Sequence, residues 1–226
     1  DRAGITGEDG ASHNGMWDFT LFRMVPGVCI AAPRDEATLR AALQTAVGIN
    51  DRPTVIRFPK GELPDPTPAL ESKGEVDILL RSPQLSFEAD ESKTTILMVG
   101  IGAMVPVTLE AANLLQQANA NLRIDVVSPN WVWPIPSELE QMTADYDYVV
   151  TVEDGLAAGG IGSALEEASA ADDIFVKHLN LGVPTQFLAH ASREQILTKV
   201  ALTAESIADK VQSHVMLGSS NKRGVA

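Results

Sequence analysis

Val28-Cys29-Ile30-Ala31-Ala32-Pro33-Arg34-Asp35-Glu36-Ala37-Thr38-Leu39-Arg40-Ala41-Ala42-Leu43 leads, a few residues later, to Thr54-Val55-Ile56-Arg57-Phe58, and this stretch decides the fold. The apolar run Val28–Ala32 predicts a short strand, and Thr54–Phe58 predicts a second. Between them Asp35 is placed to cap a helix, Leu39 and Leu43 lie four apart, and Ala42 and Ala46 extend the same face. Strand, helix and strand at this spacing form a βαβ unit of a parallel sheet. Cys29 lies in the first strand and is expected to be a buried filler, not a nucleophile. One such unit plus a loop is half a domain, so its sheet is expected to continue into sequence outside this chain. Residues 1–61 should therefore expose a strand edge and an apolar face. They should be covered by a second copy or loosely anchored to the rest.

Moving outward, residues 62–93 read as a linker, because Pro64, Pro66, Pro68 and Pro83 deny helix and ladder hydrogen bonds. A short strand over Val76–Leu80 is compatible with it. From residue 94 to 216 the pattern is that of a complete α/β domain. Strands are expected at Thr95–Ile101, Arg123–Val127, Tyr148–Val152 and Ile174–Leu179, and helices at Val105–Ala118, Ser137–Ala144 and Ile161–Ala170. Two further helices are expected near Ser192–Val200 and Thr203–Val215, and residues 217–226 read as a frayed tail. The fold class is thus α/β, a partial domain followed by a complete one with a mostly parallel sheet.

The chain of 226 residues is 45% hydrophobic and 21% charged, ample for a packed core. Its 17 Lys and Arg stand against 30 Asp and Glu, for a net charge of −13, and the basic residues do not cluster. That balance argues against nucleic-acid and anionic-membrane partners. No run approaches the length of a membrane span. A single cysteine excludes an intrachain disulfide and a cysteine-based zinc cage, so a reducing cytoplasm is the expected compartment. The first residue is Asp1, not Met, which suggests a piece of a longer protein.

Chemistry is densest at the beginning of the chain, in Asp1-Arg2-Ala3-Gly4-Ile5-Thr6-Gly7-Glu8-Asp9-Gly10-Ala11-Ser12-His13-Asn14-Gly15. Its glycines let the backbone approach a ligand closely. Asp9 and His13 are placed to meet, the carboxylate orienting the ring, and His13 could then exchange a proton with a carbonyl oxygen. Arg2 could take a phosphate through two parallel hydrogen bonds. Spacing alone favours the plainer reading, a solvated loop whose glycines serve turns.

Arg2-Ala3-Gly4, followed by Gly7-x-Asp9-Gly10-x-x-His13-x-Gly15, resembles the substrate loop of the 1-deoxy-D-xylulose-5-phosphate synthases. The likeness continues through Ala32-Pro33-Arg34-Asp35, Arg57-Phe58-Pro59-Lys60-Gly61 and Val152-Glu153-Asp154. It runs on through Gly159-Gly160-x-Gly162-Ser163, Leu181-Gly182-Val183-Pro184, Phe187 and His190. The run His13–Asp18 looks like that of actinobacterial members. The resemblance implies the second half of a pyrimidine-binding domain at 1–61 and a transketolase carboxy-terminal domain at 94–216. It implies a transferase that joins decarboxylated pyruvate to D-glyceraldehyde 3-phosphate on thiamine diphosphate and Mg2+. The product would feed isoprenoid, thiamine and pyridoxal synthesis. By matching position, Arg2 and Lys60 would hold the triose phosphate, with Asp9 and His13 near the aldehyde as catalytic groups. Lys60 stands where familiar members carry arginine, keeping the charge without the planar fork.

The same resemblance places the cofactor motifs before Asp1. Gly7-Glu8-Asp9-Gly10 imitates the family's magnesium motif, but Asp9 is claimed by the substrate loop and Asn50 lies too far on. The chain is therefore expected to bind neither cofactor nor metal alone, to be inactive alone, and to need the missing amino-terminal region and a homodimer partner. Competing readings are a non-catalytic assembly module, or a piece of a transketolase or of a 2-oxo acid dehydrogenase β subunit. Gly155–Ser163 before a helix suggests a dinucleotide loop, but it follows the third strand of its domain, not the first. Its helix terminus could attract an anion. The resemblance suggests that Glu153 and Asp154 form part of a subunit interface, and a capped turn is the alternative. His178, His190 and His214 lack metal-ligand spacing, and Trp131 and Trp133 read as a packed corner.

Overall fold

The computed structural model describes residues 2–62, 64–82 and 93–222. After a short 3-10 turn, Gly7–Asp9, come α1 (Asp18–Phe22), β1 (Cys29–Ala31), α2 (Glu36–Gly48) and β2 (Thr54–Ile56). β3 (Glu71–Lys73) and β4 (Val76–Leu80) follow, then β5 (Thr94–Gly100) and α3 (Val105–Ala118). The remainder is β6 (Leu122–Pro129), β7 (Trp131–Trp133), α4 (Ser137–Thr143), β8 (Tyr148–Leu156), α5 (Ile161–Ala171), β9 (Lys177–Val183), α6 (Arg193–Lys199) and α7 (Ala204–Lys222).

The main sheet has six strands in the order β3-β4-β6-β5-β8-β9. β6, β5, β8 and β9 run parallel, while β3 and β4 join antiparallel at one edge. The stretch read as a linker thus supplies two strands of this sheet, Val76–Leu80 among them. Pro83 lies outside the described residues. Because β6 and β8 flank β5, the winding of the sheet reverses at β5, and in such sheets ligands commonly sit outside the carboxyl ends of the strands at that point.

The βαβ unit is present, with β1 parallel to β2 from Cys29↔Thr54 to Ala31↔Ile56. Asp35 caps α2 as expected, in a reciprocal capping box with Thr38. The helix buries less than its periodicity suggested: Ala42 is its one fully buried residue, while Leu43 and Val47 are 56% and 74% exposed. Leu21, Phe22, Met24 and Val25 are also exposed, so an apolar face does lie open on this unit. The expected loose anchoring is overturned. β7, from the downstream region, pairs antiparallel with β1, and Phe19, Val28, Ile30 and Ala32 share one core with Ile78, Leu97, Val99 and Val149. Full burial of a side chain such as Phe19 is worth about 1.5–3 kcal/mol.

Three readings shift. Cys29 is half-buried, its Sγ 3.9 Å from the Gly27 carbonyl. The strand expected at Ile174–Leu179 starts at Lys177, because α5 ends at Ala171 and Asp173 takes a left-handed φ of 59° before the chain can extend. The supposed tail is helical as far as Lys222, with 223–226 outside the described residues. Trp131 and Trp133 do form a packed strand, and the Arg23 guanidinium stacks 4.8 Å from the Trp133 ring centre.

Candidate functional site

The glycine-rich loop folds over the carboxyl end of β8 and is tied in from both sides. Ala3 donates its N–H to the Phe58 carbonyl at 3.0 Å, Gly15 to Gly4 at 2.8 Å, and Leu156 to Met16 at 3.0 Å. Ile5 and Met16 are fully buried and drop into the main core, and Thr6 is held by Asn14 Oδ1 at 2.9 Å. The loop is therefore a built element, not a solvated excursion.

Its charged groups converge with Lys60 from the segment after β2. Lys60 Nζ donates to Asp9 Oδ2 at 2.8 Å, and Arg2 Nε lies 3.8 Å from the same oxygen. Lys60 first, then Arg2 and His13, hold the Asp9 carboxyl below its ordinary value. Arg2 and Lys60 are each about half exposed, at 47% and 49%, so both remain open to a ligand. Lys60 also lines a cleft of about 400 Å³ with Pro33, Leu39, Phe58 and Pro59. Three of the sequence-predicted site residues, Arg2, Asp9 and Lys60, are thus in one cluster.

The fourth is placed differently. His13 is exposed, and its Nδ1 lies 2.9 Å from Ser12 Oγ. The expected Asp9–His13 hydrogen bond is not formed among the described residues, because Asp9 turns toward Lys60 instead. His13 still acts on Asp9 through space.

Beneath the loop lies a buried ionic chain that the sequence did not reveal. Arg57 Nε donates to both Asp18 oxygens at 2.9 Å, and Arg57 Nη1 to Asp154 Oδ1 at 2.6 Å. Arg193 Nη2 donates to Asp154 Oδ2 at 2.6 Å, and its Nη1 to the Ile5 carbonyl at 2.7 Å. Asp154 is fully buried; burial works against its charge, but Arg57 and Arg193 prevail and hold its carboxyl below the ordinary value. Burial also opposes the Arg57 charge, yet Asp154 and Asp18 keep it protonated. Asp18 is pushed up by its own burial, which Arg57 offsets only in part.

Glu153 resolves as a cap. Its carboxylate accepts from Ile161 N–H at 3.2 Å and Gly162 N–H at 2.9 Å, occupying the N-terminus of α5 where a free anion was considered. Full burial pushes its carboxyl up to about 7, against the pull of those two N–H groups. His190, expected to be ordinary, places Nδ1 3.0 Å from the Glu8 carbonyl of the loop. Among the described residues no cluster of three or more His, Cys, Asp or Glu could hold a metal. Within Gly7-Glu8-Asp9-Gly10, Asp9 faces two cations, Lys60 and Arg2. No helix among the described residues is long and apolar enough to cross a membrane.

Residues 1–66 match the family model described as the transketolase pyrimidine binding domain, and 86–207 the transketolase C-terminal domain. The chain is 45% identical over 211 residues to the 1-deoxy-D-xylulose-5-phosphate synthase of Frankia casuarinae, covering 93% of this chain and 31% of that protein. It is 46% identical to synthase 2 of Kitasatospora griseola, covering 95% of this chain and 33% of that protein. It therefore spans about a third of the curated relatives it matches. Among solved structures, a split-gene transketolase described as an inactive β4 tetramer superposes with a TM-score of 0.71 at 28% identity, covering 94% of this chain and 64% of that one. The Campylobacter jejuni transketolase superposes with a TM-score of 0.69 at 18% identity, covering 94% of this chain and 30% of that one, which speaks for the fold alone.

Proposed function

Because the chain belongs to the transketolase family, we propose that it is the carboxy-terminal portion of a 1-deoxy-D-xylulose-5-phosphate synthase and that it carries that enzyme's triose-phosphate subsite. The observation that carries the reading is the cluster of Arg2 and Lys60 around one displaceable carboxylate, Asp9. Two half-exposed cations, Arg2 on the built loop and Lys60 on the segment after β2, suit the phosphate of D-glyceraldehyde 3-phosphate. That phosphate takes over both cations and releases Asp9 toward the substrate's hydroxyl and aldehyde end. His13, exposed on the same loop, orients the aldehyde oxygen and exchanges a proton with it.

Decarboxylation of pyruvate on thiamine diphosphate and Mg2+ belongs to the remainder of the protein. The 226-residue chain is inactive on its own, a reading supported by the split-gene transketolase it superposes on, an inactive β4 tetramer. The whole protein works in the cytoplasm as a homodimer and supplies the isoprenoid route. The test is an assay with pyruvate, D-glyceraldehyde 3-phosphate, thiamine diphosphate and Mg2+. The full gene product forms deoxyxylulose phosphate and this chain alone forms none; product from the chain alone refutes the division of labour.

A second reading is favoured by the open apolar face of Leu43, Val47 and Met24: the chain also serves assembly. Sedimentation of the isolated chain as a monomer at high concentration contradicts it.

A further inference from the structure

The loop's glycines at positions 4, 7 and 10 all have positive φ, at 68°, 77° and 70°. Each turns its bare Cα toward a different group of the downstream domain. A Cβ on Gly4 would collide with the Asp154 carboxylate, and one on Gly10 with the His190 ring. One on Gly7 would stand 2.9 Å from the Arg193 backbone nitrogen. The three-residue spacing therefore matches three contact points, and it leaves no room for side chains at any of them.

Two polar bonds complete the hold. Arg193 reaches the Ile5 carbonyl at 2.7 Å while anchored on Asp154, and His190 reaches the Glu8 carbonyl at 3.0 Å. Glu8 precedes Asp9, and Gly10 N–H donates to Gly7 at 3.0 Å while His13 N–H donates to Gly10 at 3.1 Å. The orientation of Asp9 and His13 is thus inherited from groups distant in sequence, Glu8 and His190 being 182 residues apart. Among the described residues no hydrogen bond or ion pair joins Arg193 or His190 to the cluster of Arg2, Asp9 and Lys60.

We propose that His190 and Arg193 are positioning residues: the downstream domain acts as a clamp that sets the shape of the phosphate-binding loop. The ligand half of this proposal rests on the triose-phosphate reading above; the clamp itself does not. It gives the downstream domain a part in substrate binding although it contributes none of the groups assigned to touch substrate.

The test uses His190→Ala in the 226-residue chain, because His190 is exposed and its loss does not threaten the core. Hydrogen exchange is followed at the amides of Gly10 and His13, with β5 and α3 as internal references. Exchange at the two loop amides should rise roughly 2- to 10-fold, the worth of one hydrogen bond, with the thermal midpoint and the references unchanged. The dissociation constant for D-glyceraldehyde 3-phosphate should rise by a similar factor. Arg193→Lys should retain most of the loop protection and Arg193→Gln should lose it. Loop exchange equal to wild type in both His190→Ala and Arg193→Gln overturns the clamp. Faster loop exchange with unchanged affinity for the triose phosphate overturns its part in binding. If the wild-type chain binds no triose phosphate and the loop amides still respond, the clamp stands and the triose-phosphate reading is what fails.

Discussion

Replacing Arg57 by glutamine removes the central cation of the buried chain. The side chain is 4% exposed, donates three hydrogen bonds to Asp18 and Asp154, and stacks 4.2 Å from the Phe19 ring centre. Its loss leaves Asp18, 17% exposed, without its ion-pair partner, and leaves Asp154 to Arg193 alone. Breaking a buried pair from one side costs about 3–5 kcal/mol. Arg193 still compensates Asp154, so Arg57→Gln should cost about 3 kcal/mol, the low end of that range. At about 2–4 °C per kcal/mol, that is a fall of about 6–12 °C in the midpoint. Burial already pushes the Asp18 carboxyl up, and removing its cation pushes it further. Protonation then relieves the penalty, so the loss should be larger at pH 8 than at pH 5. Urea unfolding of wild type and variant at both pH values measures it. A loss below about 1 kcal/mol at pH 8, the range of surface pairs, would refute the claim that this chain anchors the loop-bearing unit.

Further outcomes follow from the same geometry. Glu153 titrates near 7 in the folded chain against an ordinary 4.5, so folding takes up a proton between those values and the buried charge is a penalty above them. Glu153→Gln should therefore compare better with wild type at pH 8 than at pH 5, by on the order of 2 kcal/mol in urea titrations. Gly10→Ala meets both a left-handed φ and the His190 ring, and should weaken triose-phosphate binding more than Ala11→Gly, a difference calorimetry would detect. Lys60→Ala should let the Asp9 carboxyl rise toward its ordinary value, which carbon-detected NMR titration reads directly. Leu43→Ser with Val47→Ser should reduce self-association without lowering the thermal midpoint, since both side chains are already exposed.

Much of the architecture was legible because its signals are local. Asp35 caps α2 three residues from its partner Thr38, and α3 keeps the Val105–Ala118 bounds that its apolar spacing predicts. β9 was misplaced because Ile174–Val176 has strand-like composition, whereas its register is set by pairing Lys177 with Tyr148. The burial of α2 was overstated because periodicity shows which face is apolar, not whether anything covers it. In the site, Arg2, Asp9 and Lys60 were legible as a motif. The loop contacts of Arg193 and His190 were not, because they join residues 188 and 182 apart; His190 stood out as a family landmark, but nothing local ties it to the loop. Asp9 turned to Lys60 instead of His13 because a flexible ammonium 51 residues away reaches it first.

The most direct measurement is a titration of the isotope-labelled chain with D-glyceraldehyde 3-phosphate, followed by amide and side-chain NMR, with the Arg2→Ala and Lys60→Ala variants beside it. The account predicts saturable shifts confined to residues 2–15, Lys60 and the two residues bonded to the loop, His190 and Arg193, weakened in both variants, with Asp9 released from Lys60. Shifts elsewhere in the chain, or shifts that both variants leave intact, would contradict it.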